Sequence, residues 1–312
     1  MPRPLRIALA LAATAAAAAG ILAAAYPATA AAARPALAAA VASAGPSAPV
    51  SPTTATTPTA PATPTPPPLP APPSTATPTP TPSPSPDPSP QPNAVAFKGT
   101  AAVGALFDVT KTGLKHFCTA AVVRSRPGNL LITAAHCLTG AHTGAHGQVV
   151  FAPGYHDGRF PHGRWQVMSV LSDTSWRRHH DPNDDVAFLV VGRSGHRIQK
   201  YTGAETVAIG TALPAAVRVI GYPNRTNEPV TCTGQASRLA LTGYQQLVFR
   251  CGGYTNGTSG GPFLLNVSAR TGDGAVIGVI GGYQHGGKLA SVSYSARFLR
   301  NVAALYRQAQ RA

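Results

Sequence analysis

From residue 94 onward the chain is a succession of short apolar or alternating runs separated by Gly, Pro and Asn. The runs are Ala101–Val109, Thr119–Val123, Leu130–Ala134, Gln148–Phe151, Gln166–Leu171, Val186–Val191, Ala216–Ile220, Gln245–Phe249, Ala275–Ile280 and Ser291–Tyr294. Many short strands with turn signals between them predict an all-β barrel or sandwich. Helical spacing is clear only at the end, where Phe298, Leu299, Val302, Leu305 and Tyr306 share one face. A C-terminal helix packed onto the β domain follows.

Before residue 94 the pattern is different. Arg3 and Arg6 precede an uncharged Ala- and Leu-rich run from Ile7 to Ala33, with Ala28-Thr29-Ala30 as a small-x-small cleavage site. This is the layout of a secretory signal peptide over residues 1–30, with an uncleaved single-span anchor as the alternative. Residues 31–93 are Ala-rich and then Pro/Thr/Ser-rich: 20 of the 32 prolines lie between Pro46 and Pro92, a stretch whose one charged residue is Asp87. Such a tract favours polyproline II and buries no core, so it is expected to be a disordered, semi-rigid linker. Residues 94–312 then form the folded domain.

Composition sharpens this division. After residue 93 the chain has 22 Lys+Arg and 9 Asp+Glu, a formal +13. Its four cysteines, Cys118, Cys137, Cys232 and Cys251, all lie in that part. An even count in an exported chain favours two disulfides, for which three pairings exist, over a zinc site, since no C-x2-C spacing occurs.

Three segments carry chemistry. Leu131-Ile132-Thr133-Ala134-Ala135-His136-Cys137 is an apolar strand that ends in small residues and a histidine. A base must be held rigidly with one ring nitrogen buried and the other open. Asn183-Asp184-Asp185 stands directly before the apolar run Val186–Val191. A carboxylate at such a place is poorly hydrated and needs a partner, which favours Asp185, whereas Asp181 and Asp184 suit capping or a solvated turn. Thr255-Asn256-Gly257-Thr258-Ser259-Gly260-Gly261-Pro262 flanks a serine with glycines, so amide N–H groups can turn toward a substrate carbonyl.

The stretches T-A-A-H-C, D-V-A-F and G-T-S-G-G-P, in that order, make residues 97–312 resemble the trypsin-like (chymotrypsin-fold) serine peptidases, in particular secreted bacterial members of the glutamyl-endopeptidase-like branch. The resemblance implies two six-stranded antiparallel β-barrels with the active site in the cleft between them. It also implies the bridges Cys118–Cys137 and Cys232–Cys251. The implied activity is hydrolysis of peptide bonds through an acyl-enzyme, with Ser259 as nucleophile, His136 as general base and Asp185 orienting the imidazole. The N–H groups of Gly257 and Ser259 form the expected oxyanion hole, and the chemistry needs no cofactor or metal. The alternative is a catalytically silent protease-fold binding module carried on a Pro-rich stalk.

The sequence departs from the family pattern in places. Many animal-type members carry an aspartate directly before the serine, which receives a newly cut N-terminus; here that position is Thr258. The acid expected about six residues before the serine for Arg/Lys-directed cleavage is replaced by Gly253-Tyr254, so that preference is not expected. Tyr254, Ile280, Gly281, Gly282 and His285 are expected around the substrate pocket, the two glycines as a bare wall whose backbone pairs with an extended substrate. A preference for Glu requires His285 to fold back into the pocket.

Polypeptides are the expected substrates of a secreted, monomeric enzyme. Arg177-Arg178-His179-His180 and Arg297, Arg300, Arg307 and Arg311 concentrate positive charge, which reads as a solvated surface or as a site for anionic cell-wall polymers. Secretion argues against nucleic acid. His142, His146, His156 and His162 gain no acidic or cysteine ligand, so no metal is expected there. Asn224, Asn256 and Asn266 begin N-x-[ST] triplets that are read as incidental.

Overall fold

The computed structural model describes residues 91–139 and 148–312; the expected signal peptide, nearly all of the expected linker, and His142 and His146 lie outside the described residues. The first strands are β1 (Val95–Ala96), β2 (Val103–Thr110), β3 (Gly113–Val123), β4 (Leu130–Thr133), β5 (Val149–Pro153) and β6 (Trp165–Ser172). A short helix α1 (Thr174–His179) precedes β7 (Ala187–Gly192). Then come α2 (Gln199–Thr202), β8 (Thr206–Val207), β9 (Ala215–Gly221), β10 (Val230–Arg238), β11 (Gln246–Arg250), β12 (Pro262–Leu265), β13 (Ala275–Val279), β14 (Val292–Ala296) and α3 (Arg300–Ala309).

The strands divide at α2. β2, β3, β4, β7, β6 and β5 close on one another, in that order, as a six-stranded barrel. Its walls are Val, Leu, Ile and Ala at inward positions, with Leu106, Leu131, Ile132, Phe151, Trp165, Phe188 and Leu189 fully buried. In β2, β4, β7 and the second half of β3 consecutive residues are buried on both faces, so these strands read as near-continuous apolar runs.

The second half is a curled eight-stranded sheet, ordered β14-β11-β10-β9-β12-β13-β8, with β1 added beside β10. It is not closed by hydrogen bonds into a second six-stranded barrel. No ladder joins β13 to β14, and two short strands are added: β8 joins β13 as a parallel pair, and β1 pairs antiparallel with β10. Its interior holds Val217, Val219, Phe249, Phe263 and Ile277 around the Cys232–Cys251 bridge. The other bridge, Cys118–Cys137, ties β3 to the turn after β4. Both pairings are those the family resemblance implies.

α3 lays Val302, Leu305 and Ala309 against the first core, and Tyr306 stacks on Phe188 with ring centroids 5.3 Å apart. Burying a side chain such as Val302 or Leu305 contributes about 1.5–3 kcal/mol. At the other end, pairing with the folded part begins before residue 94: Gly252 N donates to Pro92 O at 2.8 Å, and Ala94 N to Gly252 O at 2.9 Å.

Candidate active site

β4 delivers the histidine. After Thr133 the chain turns through a short 3-10 segment, Ala135–Leu138, that carries His136, and the neighbouring Cys137 anchors this turn to β3. Behind it, Trp176 of α1 packs with Ala135 and Ala187 in a small buried cluster. The small residues before the histidine thus make room for an indole, which fixes the turn from the rear.

Asp185 closes the 3-10 segment Pro182–Asp184 and is fully buried, while the side chain of His136 is 15% exposed. One carboxylate oxygen accepts from His136 Nδ1 at 2.7 Å and from the N–H of Gly282 at 2.7 Å; the other accepts from the backbone N–H of His136 at 2.8 Å. Burial alone would push the carboxyl upward. The neighbouring His136, by charge and by hydrogen bond, and the N–H groups of Gly282 and His136 outweigh it, so the carboxyl is held below its ordinary value. An ionised carboxylate only accepts, so Nδ1 carries the ring proton and Nε2 is left with its lone pair.

The adjacent acid is used differently. Asp184 Oδ1 accepts from Asn301 Nδ2 on α3, and burial raises its carboxyl. Asp181 caps its own turn, accepting from Asn183 N at 2.9 Å. The three acids are therefore separated by environment into a clamp on the histidine, a tie to the C-terminal helix and a turn cap.

The serine turn is fixed from both halves of the molecule. Thr119 of β3 donates its N–H to Ser259 O at 2.7 Å and its hydroxyl to Gly257 O at 2.9 Å, and the same hydroxyl accepts from Tyr222 N. Gly260 N donates to Ile280 O at 2.7 Å, and Ile280 N to Gly261 O at 2.8 Å. Gly260 has φ +82°, and a methyl group there would overlap Thr133 Oγ1 and the carbonyl of Thr119. Glycine is thus required both by conformation and by the close approach of the turn to the end of β4. Among the described residues, the N–H groups of Gly257 and Ser259 donate to no protein acceptor. Two unoccupied amide donors beside a serine are the arrangement that can receive an oxyanion. Thr258 is buried with its hydroxyl donated to Thr255 O at 2.7 Å, so the position that holds an aspartate in many animal-type members is satisfied locally.

A cavity of about 350 Å³ opens beside Ser259, walled by Tyr254, Thr255, Thr258 and Ile280, with Arg225 and Lys288 among its cationic lining. Tyr254 is buried with its hydroxyl donated to Val219 O at 2.9 Å. His285 also lines it. Gly281 and Gly282 do not; they lie behind the aspartate, where a methyl on Gly281 would stand 3.0 Å from Asp185 Oδ2. Three of their backbone groups are engaged: Gly281 N donates to Tyr294 O, Gly282 N to Asp185, and Gly282 O accepts from His285 N. The N–H of Gly282 thus supports Asp185. The contribution of Arg225 and Lys288, and the Gly282 donor, were not read from the sequence, because they come together through turns with no periodic signal.

Two further groupings carry no ligand chemistry. Cys118, Cys137 and His136 lie close together, but the two sulfurs are bonded to each other. His116 is half-buried: desolvation pushes it down to about 4, and its Nε2 donates to Cys118 O at 3.0 Å.

The Trypsin-like peptidase domain family model matches residues 118–279, just over half of the chain. No curated protein matches the chain. Among solved structures, the protease Anisep from Arthrobacter nicotinovorans superposes with TM-score 0.61 at 22% identity, covering 70% of this chain and 99% of that one. The thermostable serine protease AL20 from an extremophilic microorganism gives 0.59 at 26% identity, covering 68% and 98%. A Glu endopeptidase gives 0.55 at 12% identity, covering 71% and 98%, a likeness of fold alone. The family match and the fold agree, and the chain belongs to the trypsin-like peptidase domain family as a serine-type peptidase.

Proposed function

We propose that this chain is a secreted serine endopeptidase with a signal peptide over 1–30, a linker over 31–93 and a peptidase domain over 94–312. Ser259 attacks the scissile carbonyl while His136 Nε2 takes its proton. The N–H groups of Gly257 and Ser259 stabilise the oxyanion, His136 returns the proton to the leaving amine, and water then hydrolyses the acyl-enzyme by the same relay. Asp185 stays ionised throughout and holds the imidazole in the tautomer that can act as base. The observation that carries this reading is the threefold grip of buried Asp185, which takes both the ring and the backbone N–H of His136. An oxyanion donor is worth about 3–4 kcal/mol in such a site.

The same geometry weighs against the silent module, since two free amide donors and a buried ionised carboxylate are costly to keep without use. Cleavage after Arg or Lys is not expected, because the cavity beside Ser259 is lined by Arg225, Lys288 and His285 and by no carboxylate. Cations there repel a basic side chain.

The test is digestion of a complex peptide library by the purified protein, with Ser259→Ala as control and cut sites read by mass spectrometry. Cuts that vanish in the variant, together with loss of fluorophosphonate labelling, support the reading. Labelling that persists in Ser259→Ala places the nucleophile elsewhere, and a library left uncut by the intact protein favours the binding module. Cuts concentrated after Arg and Lys would contradict the pocket assignment.

A further inference from the structure

Three neighbouring segments carry exposed cations. The turn after β3 carries Arg124 and Arg126, α2 and the residues before it carry Arg197 and Lys200, and the last turn of α3 and the residues just after it carry Arg307 and Arg311. All six are exposed. Their convergence is set by backbone contacts. Arg126 N donates to Gln310 Oε1 at 2.9 Å, Gln310 Nε2 to Arg124 O at 3.0 Å, and the Tyr306 hydroxyl to the same carbonyl. On the other side, Ser125 N donates to Gln199 Oε1 at 3.1 Å, Gln199 N to Gly128 O at 3.1 Å, and the side chain of Arg197 covers Gly128.

This face is poorly neutralised. The ion pairs between described residues are His136–Asp185 and His156–Asp157, and neither uses a lysine or arginine. Asp273 acts on Arg124 through space, and Glu205, whose carbonyl accepts from Arg124 N, is fully buried. By contrast, the run Arg177–His180 is partly spent on its own helix: Arg177 donates to Ser172 O and Thr174 Oγ1, and His180 packs against Trp176.

We infer that the face formed by Arg124, Arg126, Arg197, Lys200, Arg307 and Arg311 binds a linear polymer of repeating phosphate groups, of the phosphodiester-linked kind found in cell walls. Five of the six cations are arginines, whose planar fork takes a phosphate in a bidentate manner and is weakly hydrated. A linear polyanion releases its own condensed counterions when several such arginines neutralise its phosphates at once, so its binding falls steeply with salt. The exported layout of the sequence places a wall polymer, rather than nucleic acid, within reach. The surface is independent of the catalytic reading and leaves the serine turn untouched.

The test uses the full chain carrying Ser259→Ala, immobilised poly(glycerol phosphate), and matched-charge duplex DNA as comparator. Arg124→Gln, Arg126→Gln, Arg307→Gln and Arg311→Gln together are compared with the same loss of charge at exposed Lys98, Lys111, Arg238 and Arg270. The first set is expected to lower affinity about tenfold or more at ~0.1 M salt and to flatten the salt dependence by about one ion for each arginine replaced. The second set should remain near the parent. Equal loss in both sets would reduce the effect to net charge and overturn the site, as would a parent chain that is not retained. Tighter binding to DNA than to the wall polymer would overturn the assigned partner. Should the fourfold variant fail to fold, as judged by its melting curve, Arg126→Gln and Arg311→Gln singly provide the same comparison.

Discussion

His285 lies face to face with His136, with ring centroids 5.3 Å apart and planes only 13° from parallel. Its other neighbour is Trp176, which meets it edge-on at 6.5 Å. The turn that presents it is costly: Gln284 and His285 both have left-handed backbone, φ 54° and 56°, between Gly282 and Gly286 at φ 75° and 101°. A non-glycine residue held there costs on the order of 1–3 kcal/mol unless its surroundings compensate. The stack on His136 and the bond from His285 N to Gly282 O are the compensating interactions.

His285 is therefore expected to position the His136 ring. His285→Ala should lower kcat several-fold with a smaller change in KM, whereas His285→Phe, which keeps an aromatic face, should retain most of the rate. Steady-state kinetics on one peptide substrate decide between them. An equal loss in both variants would mean that the imidazole acts by its polarity and not by stacking.

Asp185→Asn should cost about four orders of magnitude in turnover with little change in fold, because an amide cannot accept all three N–H donors and hold the ring in the basic tautomer. Asp184→Asn should leave turnover near the parent and shift stability by about 1 kcal/mol or less, since its role is the hydrogen bond with Asn301. Paired kinetic and thermal measurements on the two variants test this. The reverse ranking would move the orienting carboxylate by one residue.

Much of the fold was legible because the first barrel is built from short, near-continuous apolar runs separated by turn residues. β10 was not: its sequence, Val-Thr-Cys-Thr-Gly-Gln-Ala-Ser-Arg, fills the interior with Cys232 and Ala236 and leaves no apolar alternation to read. β12 directly follows the serine turn and was absorbed into that motif. α1 was hidden because the stretch Arg177–His180 shows only charge, with Trp176 as its single inward residue. At the site, residue types and spacing pointed to His136, Asp185 and Ser259. The Gly282 donor and the stack of His285 depend on a turn whose backbone angles no local pattern encodes.

Gly260→Ala should disable the serine turn more severely than its size suggests. The added methyl meets Thr133 Oγ1 and the Thr119 carbonyl at φ +82°, so the turn must move away from β4. Activity is expected to fall at least a hundredfold, with a measurable drop in melting temperature. Gly210→Ala is the control, because that glycine also has positive φ, 71°, but open space around its Cβ. It should cost about 1 kcal/mol of stability and no activity. Similar losses in both would attribute the effect to backbone strain alone and not to the packing of the turn on β4.

Two buried carboxyls of opposite tendency set the pH range of stability. Asp185 is held below its ordinary value, so its contribution is complete above an unfolded carboxylate's value of about 4 and is lost as pH falls through the folded one. Glu205 behaves in the opposite sense. Its backbone pairs with β3, through Glu205 N to Val122 O and Arg124 N to Glu205 O, both at 2.9 Å, while its side chain accepts from Gly274 N. Its other carboxyl oxygen is buried without a partner. Burial pushes this carboxyl up to about 8, with the charge of Asp273 adding to the rise. A raised acid binds its proton more tightly when folded, so the stability it lends is complete below about 4.5 and is lost progressively as pH climbs to about 8. The total at stake is on the order of a few kcal/mol. Thermal melting of the Ser259→Ala protein from pH 3 to 9 should therefore show a maximum on the acid side of neutrality. Glu205→Gln, which cannot ionise, should flatten the decline between about pH 5 and 8 while leaving the acid limb in place. A decline of unchanged slope in that variant would assign the alkaline loss to other groups.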